Sequence, residues 1–159
     1  MLTYILIPGG LVSVTMAIHA AGFSALLRAM MRSRALATTG FWPVTRLAIG
    51  LTCWLVIIHL VEIFAWGLFY LWWGCLPDAE SAFYFSGVTY TTLGYGELLL
   101  PKAWRMLAPL EALMGILMCG LSTGLFFAFL VRLIGNWVLR TAGSEPHAAA
   151  PMAAKNVVQ

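Results

Sequence analysis

The chain has 159 residues, of which 62% are hydrophobic and 9% charged, with a formal net charge of +3. A soluble domain carries roughly 25% charged residues, so this chain has too few polar groups to clothe a water-facing surface. Its length allows one domain, and its composition makes lipid the natural solvent. The basic residues lie at the ends of apolar runs rather than together on one polar element, which speaks against a nucleic-acid surface. Cys53, Cys75 and Cys119 are odd in number and share no motif spacing, so they read as small apolar packing residues, not as a disulfide framework or a zinc site.

Three segments are long enough to span a bilayer, which takes about 20 apolar residues. The first runs from about Leu2 to Leu27 without a Lys, Arg, Asp or Glu, and residues 1–31 form an additional N-terminal transmembrane helix. No basic residue precedes its apolar run, so it does not read as a signal peptide. Pro8-Gly9-Gly10 is expected to bend or fray its start. A basic loop, 32–46, follows. The second span, from about Leu47 to Trp73 within an outer helix 47–75, has Glu62 as its only acid. The third, from about Met106 to Val131 within an inner helix 104–138, has Glu111 as its only charge. The tail 139–159 is rich in Ala and Pro and reads as disordered.

Arg28, Arg32, Arg34 and Arg46 flank or fill the first connection, and Arg132, Arg140 and Lys155 follow the third span. The positive-inside rule assigns both regions to the cytoplasm and the N-terminus to the outside. Trp66, Phe69, Tyr70, Trp72 and Trp73 would then form an outer aromatic belt, and Phe41, Trp42 and Trp137 an inner one.

Between the second and third spans, Ala82 to Thr91 is too short to cross a bilayer and too apolar for an exposed loop. A re-entrant half-helix over 80–91 fits, with Asp78, Glu80 and Ser81 supplying caps and negative charge at its start. Thr92-Leu93-Gly94-Tyr95-Gly96 follows at once. Irregular backbone at membrane depth needs protein or a water-filled path around it. A cation path meets that need, because carbonyl oxygens replace the ion's hydration shell. Alternate glycines let successive carbonyls point one way, the Thr92 hydroxyl adds an inner ligand, and the Tyr95 ring can wedge into the surrounding wall.

At these residues the sequence resembles the potassium channel family. The run Thr-x-Thr-Thr-Leu-Gly-Tyr-Gly-acid, Thr89 to Glu97, carries the resemblance, which extends over roughly Leu47 to Val131. It implies an all-α membrane protein with three transmembrane helices, a re-entrant pore helix and a selectivity filter at Thr92, Leu93, Gly94, Tyr95 and Gly96, with Glu97 at the outer mouth. The plan is that of a bacterial-type pore domain, 47–138, with an extra N-terminal helix. The resemblance further implies a homotetramer that conducts K+ passively in contact with membrane lipid, without catalysis, cofactor or nucleic acid, in a bacterial inner membrane. Leu93 stands where Val is commoner, Glu97 where Asp is commoner, Val88 where some bacterial members carry Glu, and Tyr84-Phe85 in place of a frequent Trp-Trp pair. These departures bear on filter stability and inactivation more than on the carbonyl ligands. The rivals are a weakly selective cation channel, a non-conducting subunit that assembles with a partner, and an intramembrane enzyme built on His59, Glu62 and Glu111. No Arg-rich helix of the voltage-sensing kind is present in the sequence.

Within the third span, Gly115 is read either as a hinge or as a packing residue, and Gly120 and Gly124 as a close-packing pair. Residues three or four apart share a helix face, so Ile116, Cys119, Thr123, Phe127 and Val131 make one stripe. The expectation is that this stripe lines the cavity and that Phe127 forms the gate, with Phe126 or Phe129 as the competing choices. Acids inside apolar spans face protein. His59, Glu62 and Glu111 are therefore expected to form a polar brace behind the filter, with Tyr90 and Thr89 as partners. Those three would need further ligands to hold a metal. His19 is read as a helix-packing residue and His147 as part of the tail.

Overall fold

The computed structural model describes residues 3–32 and 41–143. It is all-helical over those residues: α1 Thr3–Arg32, α2 Phe41–Trp72, α3 Ala79–Tyr90 and α4 Leu107–Gly143. α1, α2 and α4 contain the stretches long and apolar enough to cross a membrane, Leu6–Arg32, Trp42–Trp72 and Leu107–Gly135. The chain is an integral membrane protein of the all-α class. α4 starts at Leu107, later than the expected 104, and continues to Gly143, so residues 139–143, expected in a disordered tail, are helical; the tail beyond residue 143 lies outside the described residues.

α1 runs unbroken through Pro8 and the two glycines after it, so the fraying expected there does not occur. Pro8 lies close to the helix start, where its missing N–H and its ring disturb few intrahelical bonds. The Ser13 and Thr15 hydroxyls satisfy themselves by donating to the Gly9 and Leu11 carbonyls at 2.8 and 3.0 Å. α2 begins at Phe41, ahead of Leu47, and so takes in Arg46. Pro43 falls in its first turn, where a missing N–H costs nothing. α2 stops at a Schellman motif. Cys75 N–H donates to the Tyr70 carbonyl at 2.9 Å and Gly74 N–H to Leu71 at 3.1 Å, while Gly74 takes φ +64°, open to glycine at no steric cost.

α3 starts where its cap predicts. The Asp78 carboxylate accepts from the Ser81 N–H at 2.8 Å and from the Ser81 hydroxyl at 3.0 Å, with Glu80 adding charge to the first turn. The short helix packs against both α2 and α4, and α1 packs on the outside of that pair. Trp66, Tyr70, Phe85, Tyr90, Leu107 and Met114 make the core around α3, and Leu51, Leu55, Ile58, Phe129 and Leu133 make a second core toward the other end. Trp54, Val56, Ile57, Leu60, Val61 and Phe64 are exposed on α2. That inverted arrangement, apolar outside and ionisable inside, is stable in lipid and not in water.

Candidate functional site

Thr91 to Glu97 is exposed in the single chain and is tied to α3 by its backbone. Thr92 N–H donates to the Thr89 carbonyl at 2.9 Å, and Gly94 N–H to Val88 at 3.0 Å. The Thr91 hydroxyl donates to Gly87 at 2.7 Å. Backbone handedness alternates: φ is +61° at Thr92, +50° at Gly94 and +87° at Gly96, whereas Leu93 and Tyr95 are not left-handed. Glycine adopts those values freely. Thr92 is β-branched and does not, so the segment holds strain of about 1–3 kcal/mol there. The side chains of Leu93 and Tyr95 project without cover, Tyr95 being 68% exposed. A cavity of about 300 Å³ lies behind the segment, walled by Phe85, Val88, Glu97, Ala108 and Ala112. The Glu97 carboxylate beside the Tyr84 hydroxyl holds that phenol above the ordinary tyrosine range, linking α3 to the end of the segment.

Two buried carboxylates brace α3 from behind. Glu111 of α4 is fully buried. It accepts from the Tyr70 hydroxyl of α2 at 2.7 Å and from the Ser86 hydroxyl of α3 at 2.5 Å. Ser86 Oγ also lies 2.9 Å from the Ile63 carbonyl, and its single proton serves one acceptor at a time. The partners of Glu111 are thus Tyr70 and Ser86, not Thr89. Carbonyl and hydroxyl spacing gave no cue for this choice: it depends on how α3 is rotated between its neighbours.

Glu62 of α2, also fully buried, is reached from α1 and α3 and is joined to α4 through His59. His19 Nδ1 of α1 lies 2.9 Å from its Oε1. The Tyr90 hydroxyl of α3 donates to its Oε2. His59 Nδ1 stands 3.3 Å from Oε2 and 3.0 Å from the Tyr90 oxygen, and His59 Nε2 stands 3.0 Å from Ser122 Oγ of α4. A second tie joins α1 to α2, from Trp66 Nε1 to Thr15 Oγ1 at 2.9 Å. His19 is therefore more than a packing residue. Its one available signal was that, in the apolar stretch of α1, it alone among the residues is a His, Lys, Arg, Asp or Glu, and such groups seek partners inside the protein. Trp66, Phe69 and Tyr70, expected in the outer aromatic belt, are instead buried in the core around α3, and of that belt Trp72 and Trp73 are exposed. Ser122 and Ser86 gave no signal of their own.

On α4, Gly115 is buried against the end of α3, whereas a Cβ at Gly120 or Gly124 would meet nothing within 4 Å. Ile116, Cys119, Thr123, Phe127 and Val131 are all exposed in the single chain. Phe129 is 4% exposed, packed in the lower core, and Phe126 is partly buried against the same core.

Residues 56–132 match the family model for ion channels. The match covers just under half of the chain. It begins in the middle of α2, takes in α3 and the 92–97 segment, and ends in α4, so the similarity to ion channels falls on this part of the chain. α1 lies outside it. Neither a curated protein nor a solved structure matches the chain.

Proposed function

We propose that this chain is the subunit of a potassium-selective channel, in which four copies arrange Thr92 to Gly96 around one axis and conduct K+ passively. The observation that carries the reading is the backbone of that segment: left-handed at 92, 94 and 96, not at 93 and 95, and exposed in the single chain. Alternating handedness turns successive carbonyls to the same side. Such a row would be ruinous against lipid, and it is useful only around a path that carries cations and water. A homotetramer closes the ring and covers the open flank of each copy with its neighbour, including the cavity behind the segment and the uncovered Tyr95 ring.

The two braces suit this role. Glu62 and Glu111 fix the rotation and depth of α3 from opposite partners, and α3 in turn holds Thr92 and Gly94 by its terminal carbonyls. The C-terminal end of α3 carries partial negative charge and adjoins the ion path, which favours a cation there. On this reading the N-terminus is outside and the C-terminus in the cytoplasm, an orientation favoured by the basic ends of the spans, and the membrane is a bacterial inner membrane.

Purified protein in liposomes tests the reading. A potassium gradient should drive flux that an equal sodium gradient does not. Equal fluxes would make the chain a weakly selective cation channel, and no flux without an added partner would make it an assembly subunit.

A further inference from the structure

The hub at Glu62 has a composition that bracing does not require. A single hydroxyl would satisfy a buried carboxyl group, yet two imidazoles from different helices converge on it. One nitrogen of His19, one of His59 and one carboxylate oxygen of Glu62 lie within 4.8 Å of one another. We propose that His19, His59 and Glu62 form an intramembrane site for a divalent transition ion, Zn2+ best fitting the donor set, which fastens α1 to the three helices of the channel segment.

Two imidazoles and one carboxylate are a known tetrahedral zinc set with a fourth position left open. Donors about 2 Å from a tetrahedral ion sit a little over 3 Å apart. His19 Nδ1 lies 2.9 Å from Glu62 Oε1 and His59 Nδ1 3.3 Å from Oε2, so each imidazole faces its own carboxylate oxygen, and the three donors would draw in from separations of up to 4.8 Å around an ion. The Tyr90 oxygen, 3.0 Å from His59 Nδ1, is a further oxygen donor beside the cluster. Ligating histidines are oriented by a partner on their other nitrogen. Ser122 Oγ does this for His59 at 3.0 Å from Nε2, which leaves Nδ1 directed at the cluster.

His19 is the ligand that α1 contributes. It is 4% exposed, its Nδ1 faces Glu62, and its Nε2 has no hydrogen-bond partner. Nδ1 is the nitrogen offered to an ion, and Nε2 stays without a partner whether or not one binds.

An entry path exists. A cavity of about 290 Å³ reaches His59 between Thr52, Leu55, Cys119, Ser122 and Thr123. Cys119 and Thr123 belong to the α4 stripe that the channel reading turns toward the pore, so an ion would enter from the aqueous cavity. Only this route rests on the channel reading; the ligand cluster does not.

The test is a Co2+ titration of the full chain, purified in detergent, stripped with chelator, and carrying His147→Ala to remove the tail histidine. Saturable visible absorption of tetrahedral nitrogen–oxygen type is expected at one ion per chain, displaced by Zn2+. His19→Ala and His59→Ala should each weaken binding about tenfold or more. Zn2+ should raise the unfolding midpoint of the His147→Ala protein and leave that of His19→Ala unmoved. If His19→Ala does not assemble, the spectrum of the His147→Ala protein decides alone. Absence of a saturable band, an octahedral spectrum, or a band that persists when both His19 and His59 are replaced would overturn the proposal. Potassium flux is a separate measurement, so loss of the metal site and loss of the channel reading are distinguishable.

Discussion

Gly115 of α4 lies directly against the Tyr90 carbonyl that ends α3: a Cβ at position 115 would come within 1.9 Å of that oxygen. The neighbour is backbone, held by its own helix, and cannot step aside. Gly115→Ala should therefore push α4 off α3 and destabilise the fold by about 1–3 kcal/mol, the usual range for overpacking. Thermal unfolding in detergent measures it. A hinge role makes the opposite forecast, an unchanged midpoint with altered channel opening.

Tyr70→Phe removes one hydroxyl from the Glu111 hub and changes almost nothing in volume. Tyr70 and Glu111 are both fully buried, so water cannot replace the lost donor. The carboxyl group keeps only Ser86, whose proton the Ile63 carbonyl also claims. A loss of about 1–3 kcal/mol follows from stranding a buried polar group. An unfolding midpoint equal to that of the unsubstituted protein would mean that Glu111 is held by something other than Tyr70.

The helices and the half-helix were legible because lipid and turn chemistry both write themselves into sequence. Apolar length announced α1, α2 and α4, and Asp78 with Ser81 announced the start of α3. Glu62 and Glu111 were recognisable as inward-facing, since an acid in hydrocarbon has few alternatives. Their partners were only half legible. His59 and Tyr90 were reachable by helix spacing and by proximity to the filter motif. His19 and Tyr70 were not, because the rotation of α1 against α2 and of α2 against α3 is decided by packing of many apolar side chains, which no short motif records. The start of α2 lies ahead of the expected one for a simpler reason: Arg46 ends the apolar run, yet a basic residue near the end of a span is compatible with helix.

Gly94→Ala bears on the 92–96 segment. An L-residue at φ +50° is strained whatever the space around it, and there is open space around Gly94. The cost falls on the local backbone, not on packing. The alternation of handedness should be lost while α2, α3 and α4 stay assembled. Potassium flux in liposomes should fall to background with the oligomer intact on size-exclusion chromatography. Unchanged flux and selectivity would remove the segment from the conduction path.

Phe127→Ala addresses the gate. Phe127 is 67% exposed in the single chain, whereas Phe129 is 4% exposed within the lower core and Phe126 leans on the same core. Phe129 is therefore committed to its own subunit and is not available to an axis shared by four. Phe127 continues the stripe of Ile116, Cys119 and Thr123, all of them free of cover by the other helices. If that stripe faces the pore, four phenyl rings meet near the cytoplasmic end and close the path by dewetting. Removing them should raise open probability and leave unchanged the potassium selectivity that the proposed function assigns to Thr92 to Gly96. Exposure alone does not tell pore from lipid, so a second measurement is paired with the first. Phe127→Cys should be modified by a charged, membrane-impermeant thiol reagent added from the cytoplasmic side, with block of current, whereas Phe129→Cys should not react. Cys119 lies on the same stripe, so both variants are made in a Cys119→Ser background. A cysteine at 127 that the reagent cannot reach, together with unaltered opening in Phe127→Ala, would turn this face of α4 toward lipid.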